Sequence, residues 1–255
     1  MIHVMTVHYK SHDWVKVQYD FISKYISECK TYAYVDESPT ESWPFKFDFD
    51  FRRDSKIKRK WPAAEHGSKL DNLVKCLDNP VDDDILIFLD GDSFPIYSLD
   101  QFIFDTLTEY QFISIVRKEM NHSFPHPSFA MCRYKLWKEY KLTWLPGCFN
   151  NIRVDIDDPG VTLQKQLESN KIKWKQILRT RSLSTHPIFF GIYGNLIYHH
   201  TAGFRPPTTR WDADNFGDTL QEKRIENAKI SKKILNELQT ECYDLLYKKD
   251  IKMSI

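Results

Sequence analysis

The chain has 255 residues and an almost even charge balance, with 36 Lys+Arg against 35 Asp+Glu. This length fits one large domain, or one domain with an extension. The balance argues against a dedicated nucleic-acid binder, which would carry a strong basic excess. Hydrophobic residues make up 42% of the chain, a share that excludes wholesale disorder.

Cysteine usage and the N-terminal segment predict a soluble protein of a reducing compartment. No two cysteines have the C-x-x-C spacing of a metal or redox site, so we expect free thiols. They are Cys29, Cys76, Cys132, Cys148 and Cys242. The first residues lack a basic leader, and no apolar run approaches the roughly 20 residues of a membrane-spanning helix. We therefore expect a cytoplasmic location.

Strand and helix patterns alternate along most of the chain, which predicts an α/β fold. The predicted strands are Ile2 to Val7, Thr31 to Val35, Ile85 to Leu89, Phe112 to Val116, Ser128 to Cys132, Ile172 to Leu178 and Ile192 to His199. The predicted helices run from Ser11 through Cys29, from Gly67 to the Asn79-Pro80 turn, over Tyr134 to Tyr140, from Asp158 onward, and from Gln221 to the end.

Two segments combine aromatic or aliphatic residues with basic ones. Residues 44–60 alternate phenylalanines with polar residues and end in a basic run, which predicts a half-buried strand or an ordered loop. The C-terminal helix is similarly charged. Such patches suit peripheral contact with the inner membrane surface, although charge runs of this kind are also typical of solvated faces.

The sharpest motif is Asp90-Gly91-Asp92, which follows the continuous apolar run of Ile85 to Leu89. A run of this kind predicts a strand buried on both faces, and ligands of open α/β sheets bind at the carboxyl end of the strands. Two carboxylates there can hold a divalent cation, and Gly91 would let a ligand approach the backbone. The same letters also suit a plain turn.

With this motif the chain resembles the GT-A family of nucleotide-sugar-dependent glycosyltransferases, over roughly residues 1–216. Residues 3–11 look like the first strand and nucleotide loop of that family, residues 65–77 like the helix before the motif strand, and residues 157–167 like an acidic acceptor-side motif. The resemblance implies a single Rossmann-like GT-A domain over residues 1–220, with a central mixed, mostly parallel sheet. Residues 221–255 would form a helical extension.

The resemblance also implies a function in polysaccharide biosynthesis. A sugar would pass from a nucleotide-diphosphate sugar, such as a UDP-sugar, to a hydroxyl of a glycan or lipid-linked glycan, with Mn²⁺ or Mg²⁺ as cofactor. The residues expected at the donor are Thr6, Val7, His8, Asp36, His66, Gly67, Lys69, Asn72, Asp90, Gly91, Asp92 and Arg205. Several of them are placed there because their segments share the carboxyl edge of the sheet with Asp90.

The predicted metal ligands are Asp90, Asp92 and one of the adjacent histidines His199 and His200. Neutral imidazole is a competent third ligand. Neighbouring side chains on a strand point to opposite faces, so only one of the two histidines can face the metal.

An inverting transfer needs a carboxylate that deprotonates the acceptor hydroxyl, and the resemblance places it at Asp158 or Asp157. Asp158 is equally explained as a helix N-cap, because Pro159 follows at the first helical position. Both roles stay open at the level of sequence.

Two other functions use the same features. A non-catalytic module that binds sugar nucleotides or glycans could share the scaffold and use the aromatic residues as stacking platforms. A haloacid-dehalogenase-type phosphatase also carries an Asp-x-Asp motif after an apolar strand. Its second aspartate is followed by Gly-Thr, however, whereas Asp92 precedes Ser93-Phe94-Pro95.

Overall fold

A computed structural model describes most of the chain and confirms the predicted α/β fold. The described residues are 1–8, 13–35, 47–52, 62–147, 158–182, 189–201 and 229–238.

The strands form two sheets. In chain order they are β1 (Ile2–His8), β2 (Cys29–Val35), β3 (Phe49–Arg52), β4 (Ile85–Asp90), β5 (Ser93–Pro95), β6 (Phe112–Ile115), β7 (His126–Arg133), β8 (Trp174–Ile177), β9 (Arg179–Ser182), β10 (Phe189–Tyr193) and β11 (Ile197–Thr201). The larger sheet has the order β3-β2-β1-β4-β7-β6-β8, in which β7 alone runs against the rest. The smaller sheet, β5-β11-β10-β9, is antiparallel. The central sheet is thus mixed and mostly parallel, as predicted.

Helices cover both faces of the larger sheet, and one further helix packs against the smaller sheet. They are α1 (Asp13–Tyr25), α2 (Pro62–Lys75), α3 (Asp100–Glu109), α4 (Tyr134–Glu139), α5 (Pro159–Ser169) and α6 (residues 229–238). The middle of β4 is fully buried because its side chains alternate between the two layers. Leu86 and Phe88 pack with residues of α2, α4 and α5, while Ile87 and Leu89 pack with residues of α1 and α3.

The smaller sheet packs against α1 and α6. Trp14 and Phe21 of α1 share a buried cluster with Phe94 of β5, Tyr198 of β11 and Ile234 of α6. The described part of the predicted C-terminal extension therefore belongs to the core of the protein, while the predicted boundary at residue 220 lies outside the described residues.

The predicted strand from Ile192 to His199 is wrong, because the chain reverses within it. Gly194 and Asn195 have positive φ values of 58° and 57° and connect β10 to β11 as a hairpin. Glycine and asparagine are the residues that adopt this left-handed backbone most readily.

Two predicted helix boundaries are also wrong. The first helix ends at Tyr25, and Cys29 begins β2, because Glu28 adopts a positive φ of 48° between them. The second helix starts at Pro62, well before Gly67, with proline in the first helical position where its missing N–H is no loss. The sequence prediction missed α3, β5 and β9 altogether.

Gly67 lies inside α2 for a packing reason. A Cβ at this position would lie 2.3 Å from the carbonyl oxygen of Trp144. Asp71, one turn later, holds that segment in place by accepting hydrogen bonds from the Trp144 N–H at 2.9 Å and from the Thr143 hydroxyl. Burial raises the pKa of Asp71 to about 6. Gly67 therefore serves the contact between α2 and residues 143–145.

The cysteine prediction holds for the described residues, where Cys29, Cys76 and Cys132 are free. Within the same part of the chain, no helix has the length and apolar character needed to cross a membrane.

We predict that Gly67→Ala lowers the free energy of unfolding by about 1–3 kcal/mol, because the added methyl group must push α2 away from Trp144. Alanine is otherwise the better helix former by about 1 kcal/mol. Ser68→Ala is the matched control on the same helix, and it should be neutral or slightly stabilising. Urea unfolding measures both variants, and equal stability of Gly67→Ala and the wild type would contradict this packing.

Candidate active site

Asp90, Asp92 and His199 meet at the carboxyl end of β4. Asp90 ends β4, the chain turns through Gly91 and Asp92, and Ser93 begins β5. β5 pairs with β11 so that Ser93 lies opposite His199, and the backbone N–H of His200 donates to the Asp92 carbonyl at 3.0 Å. The hairpin of the smaller sheet thus delivers His199 to the carboxylates.

The geometry of these three side chains fits a divalent cation. His199 Nε2 lies 3.5 Å from Asp90 Oδ2 and 3.5 Å from Asp92 Oδ1, and one ligand atom from each residue lies within 4.8 Å of the others. Ligands bonded at about 2.1 Å to one cation are separated by roughly 3.0–3.5 Å. Carboxylate oxygen and imidazole nitrogen are also the donors that Mn²⁺ accepts.

Asp92 is charged and His199 is neutral at pH 7. Burial by itself would raise the pKa of Asp92, but the hydrogen bond from His199 is the largest cause that acts the other way, and this pKa lies below its usual value. Burial lowers the pKa of His199. Neutral imidazole and ionised carboxylate are the protonation states that coordinate metals.

His200 does not join this group, because its side chain points to the opposite face of β11. Its two ring nitrogens form hydrogen bonds of 2.7 Å each, to the Tyr198 hydroxyl and to the Ser231 hydroxyl of α6. Its ring lies 4.2 Å from that of Trp14. Of the two predicted histidines, His199 is therefore the one that can bind the metal, and His200 connects β11 to α6.

Gly91 is required by the protein's own backbone. A Cβ there would lie 2.7 Å from both the Val7 carbonyl oxygen and His8 Nδ1, and the Gly91 N–H donates to that carbonyl at 3.0 Å. Close packing against the end of β1 thus explains the glycine at this position, and the approach of a ligand to its backbone stays a prediction.

Gln18 of α1 is a site residue that the sequence prediction missed. It is fully buried, accepts a hydrogen bond from the Thr6 hydroxyl, and donates to the carbonyls of Asp90 and Ser93, each at 2.6 Å. It thereby fixes the turn that carries both carboxylates. A sequence signal existed, since Gln18 lies on the apolar stripe of the helix between Trp14 and Ile22.

Two further histidines surround Asp90. His66 of α2 places Nε2 3.3 Å from Asp90 Oδ1. His126 places Nδ1 3.7 Å from Asp90 Oδ2 at the start of β7. Its Nδ1 accepts from the Ser128 N–H at 3.2 Å. Burial lowers the pKa of both histidines, so they add no positive charge at neutral pH.

Three other predicted donor residues, Thr6, Val7 and His8, lie at the carboxyl end of β1. Val7 and His8 end β1 beside Asp90, in register with β4 and β2. Thr6 is fully buried and its hydroxyl donates to Gln18, while Gly67 packs against Trp144, and the contacts of both with the donor stay predictions.

On α2, the buried Lys69 forms an ion pair with Glu65 at 2.8 Å, and Asn72 donates to the Tyr34 hydroxyl at 2.6 Å. Asp36 and Arg205 lie outside the described residues.

Asp158 is the N-cap of α5, and its carboxylate accepts from the Gly160 N–H at 3.4 Å. A Cβ on Gly160 would lie 1.6 Å from the Pro125 carbonyl oxygen, so the first turn of α5 packs directly against the residue that precedes His126. The capping role is confirmed, and the cap lies next to the strand that reaches Asp90. Asp157 falls outside the described residues.

Comparisons with known proteins give weak similarities in structure alone. No protein-family model and no curated protein matches the chain. Two solved structures of the glycosyltransferase GlyE from Streptococcus pneumoniae TIGR4 are similar to this chain. The first has 12% sequence identity and a TM-score of 0.42, and the match covers 69% of this chain and 44% of GlyE. The apo form has 11% identity and a TM-score of 0.47, and the match covers 94% of this chain and 63% of GlyE. The chain thus spans less than two thirds of GlyE.

The galactosyltransferase LgtC, solved with donor and acceptor sugar analogs, shows 12% identity and a TM-score of 0.42, over 90% of this chain and 96% of LgtC. Matches at this level establish no family for the chain. The functional assignment below therefore rests on the geometry of the site.

Proposed function

We propose that this protein is a metal-dependent glycosyltransferase that moves a sugar from a nucleotide-diphosphate sugar to a hydroxyl acceptor. The observation that carries the proposal is the cluster of Asp90, Asp92 and His199 at the carboxyl edge of β4 in a mostly parallel sheet. Open α/β sheets bind their ligands at this edge, and this cluster holds the donor set for a divalent cation there.

Asp90, Asp92 and His199 would hold Mn²⁺ or Mg²⁺ between the protein and the diphosphate of the donor. The bound cation would neutralise the negative charge that develops on the departing diphosphate. The side-chain amide of Gln18 bonds to the backbone of the turn, and β5 pairs with β11, so the metal-binding side chains are held rigidly. Little free energy is therefore lost in ordering these side chains when the donor binds.

The nucleotide would lie over the ends of β1 and β2, beside Val7 and His8, with Asp36 following β2. These strand ends flank Asp90 on one side of the sheet. His66, held beside Asp90 from α2, would contact the diphosphate as a neutral hydrogen-bond donor. Lys69, Asn72 and Arg205 complete the proposed donor site.

The acceptor would approach from the other side of Asp90, where the first turn of α5 packs near His126. We assign the general base to Asp158, with Asp157, its neighbour in sequence, as the second candidate. Its carboxylate would take the proton of the acceptor hydroxyl while that oxygen bonds to the anomeric carbon. The bond from this carbon to the diphosphate breaks, with its electron pair leaving on the diphosphate. One such displacement inverts the anomeric configuration.

The acceptor class that fits a polysaccharide-synthesising enzyme is a glycan or a lipid-linked glycan, handled in the cytoplasm or at the inner membrane surface. Of the segment at residues 44–60, which would contact the membrane, residues 44–46 and the basic run at 53–60 lie outside the described residues. A binding module without catalysis would share the metal and donor sites but release no product, so turnover separates the two functions.

We predict that Asp92→Asn abolishes the Mn²⁺-dependent thermal stabilisation of the protein by its nucleotide sugar while leaving the melting temperature without ligand nearly unchanged. A ligand at a hundredfold excess over its Kd stabilises the wild type by about 2.7 kcal/mol. The measurement is a thermal-shift panel of nucleotide sugars with and without Mn²⁺. Asp83→Asn, on an exposed side chain, is the matched control. Equal stabilisation of Asp92→Asn and the wild type would refute the metal assignment.

The proposed base predicts a loss of turnover without a loss of stability. Asp158→Asn still accepts the capping hydrogen bond, so the melting temperature should fall little. Turnover should fall by about 10²–10⁴ because the proton acceptor is gone, while donor affinity stays the same. Steady-state kinetics with the donor found in the panel and a melting curve of the same sample provide the readout. Unchanged turnover would remove Asp158 from the mechanism, and a product of retained configuration would rule out the inverting scheme.

A further inference from the structure

A second cluster of charged side chains lies at the same edge of the sheet, two strands away from Asp90. Arg117 follows β6, Glu119 lies in the short 3-10 turn after it, and Arg179 begins β9. The Glu119 carboxylate lies 4.0 Å from Arg117 Nε and 3.8 Å from Arg179 Nη1, and it also accepts a hydrogen bond from the Tyr193 hydroxyl. One carboxylate thus serves two guanidinium groups, so the cluster of two arginines and one glutamate has a formal charge of +1.

Arg179 is committed to the structure around it. Its Nη2 donates to the carbonyls of Phe189 and Phe190, and its guanidinium fills the space over Gly191, where a Cβ would lie 2.6 Å from Arg179 Nε. The shape of the hairpin therefore depends on Arg179, and this residue is better placed to hold Glu119 than to bind a ligand.

Arg117 differs, because its donors are unused within the described residues. Its Nε and Nη2 are buried and have no hydrogen-bond partner there, and Glu119 at 4.0 Å is its one ion-pair partner in that part of the chain. The side chain is 11% exposed among the described residues, so it is not fully sealed from solvent there. A buried guanidinium with unmet donors is unfavourable until an acceptor binds it.

His122, which follows the 3-10 turn of Glu119, also has a buried ring nitrogen without a hydrogen-bond partner in this part of the chain. Its Nδ1 is buried without a hydrogen-bond partner among the described residues, and its ring stacks on that of Phe124 with centroids 4.6 Å apart. Its backbone N–H donates to the Arg117 carbonyl at 3.1 Å, which ties the two residues together.

The position of Arg117 assigns it to the acceptor half of the site. Ile115, two residues earlier, pairs with His126, whose ring contacts Asp90. In the sheet, β6 lies two strands from β4, about 10 Å, on the side opposite to β1.

We infer that Arg117, with His122 beside it, binds an oxyanion, a phosphate or a carboxylate, carried by the substrate on the acceptor side of the metal cluster. The planar fork of guanidinium donors matches two oxygens of either group. That the acceptor binds on this side rests on the proposed function, whereas the anion site itself depends only on Arg117 and its surroundings.

The test is calorimetric titration of the full chain, without metal, with inorganic phosphate and separately with glucuronate. We expect the wild type to bind at least one of the two, and the tighter one identifies phosphate or carboxylate as the natural group. Arg117→Gln should weaken this binding about tenfold or more, because a charged hydrogen bond is lost. Arg133→Gln, an exposed arginine paired with Asp83, is the matched control and should bind as the wild type does.

Glu119→Gln gives the opposite prediction and keeps the test decisive should Arg117→Gln fail to fold. Removing the competing negative charge should tighten anion binding, and glutamine can still accept from the Tyr193 hydroxyl. Absence of binding by both anions, equal binding by Arg117→Gln, or no gain in Glu119→Gln would overturn the inference.

A last titration separates this site from the donor diphosphate. With Mn²⁺ and a nucleoside diphosphate bound to saturation, the anion should still bind at Arg117, and competition between the two would overturn the inference. If the protein binds no nucleotide in the presence of Mn²⁺, that result refutes the proposed function instead. The metal-free titration would still show whether Arg117 binds an anion.

Discussion

The pairing of β5 with β11 is the constraint on which the candidate site depends. β5 is only three residues long, yet it directly follows the turn that carries Asp90 and Asp92. Its partner strand places His199 opposite Ser93, and the N–H of the next residue bonds to the Asp92 carbonyl. The smaller sheet thereby attaches to the end of β4, and a histidine more than a hundred residues away in sequence reaches two carboxylates that the larger sheet supplies.

Burial of polar groups around this junction explains its electrostatics. Neutral histidines surround the carboxylates, because the cost of burying a charged imidazole exceeds what the neighbouring negative charge returns. Two carboxylates held close together repel each other when both are ionised, and a divalent cation is the partner that relieves this repulsion. On the other side of β7, Arg117 and Arg179 share the single carboxylate of Glu119. The proposed cation site and the proposed anion site would thus lie side by side at this edge of the sheet.

Local sequence patterns predicted β4, its burial on both faces and the two aspartates at its carboxyl end. They could do so because the apolar run and these aspartates are contiguous in the chain. The choice between His199 and His200 could not be predicted, since it depends on which face of β11 meets β5. The structural roles of Gly67, Gly91 and Gln18 were missed because each depends on a contact with a segment that is distant in sequence. Gly67 packs against the Trp144 carbonyl, Gly91 packs against the end of β1, and Gln18 donates to the carbonyls of Asp90 and Ser93.

Anomalous diffraction from crystals grown with Mn²⁺ and the nucleoside diphosphate of the donor would show directly whether Asp90, Asp92 and His199 bind a metal. We predict one manganese peak about 2.2 Å from a carboxylate oxygen of Asp92 and from His199 Nε2, with Asp90 in contact with the ion or with a water bound to it. The nucleotide should extend from this ion over the ends of β1 and β2. Manganese held by other residues, or a nucleotide bound at this edge without a metal at the three side chains, would rule out this metal site.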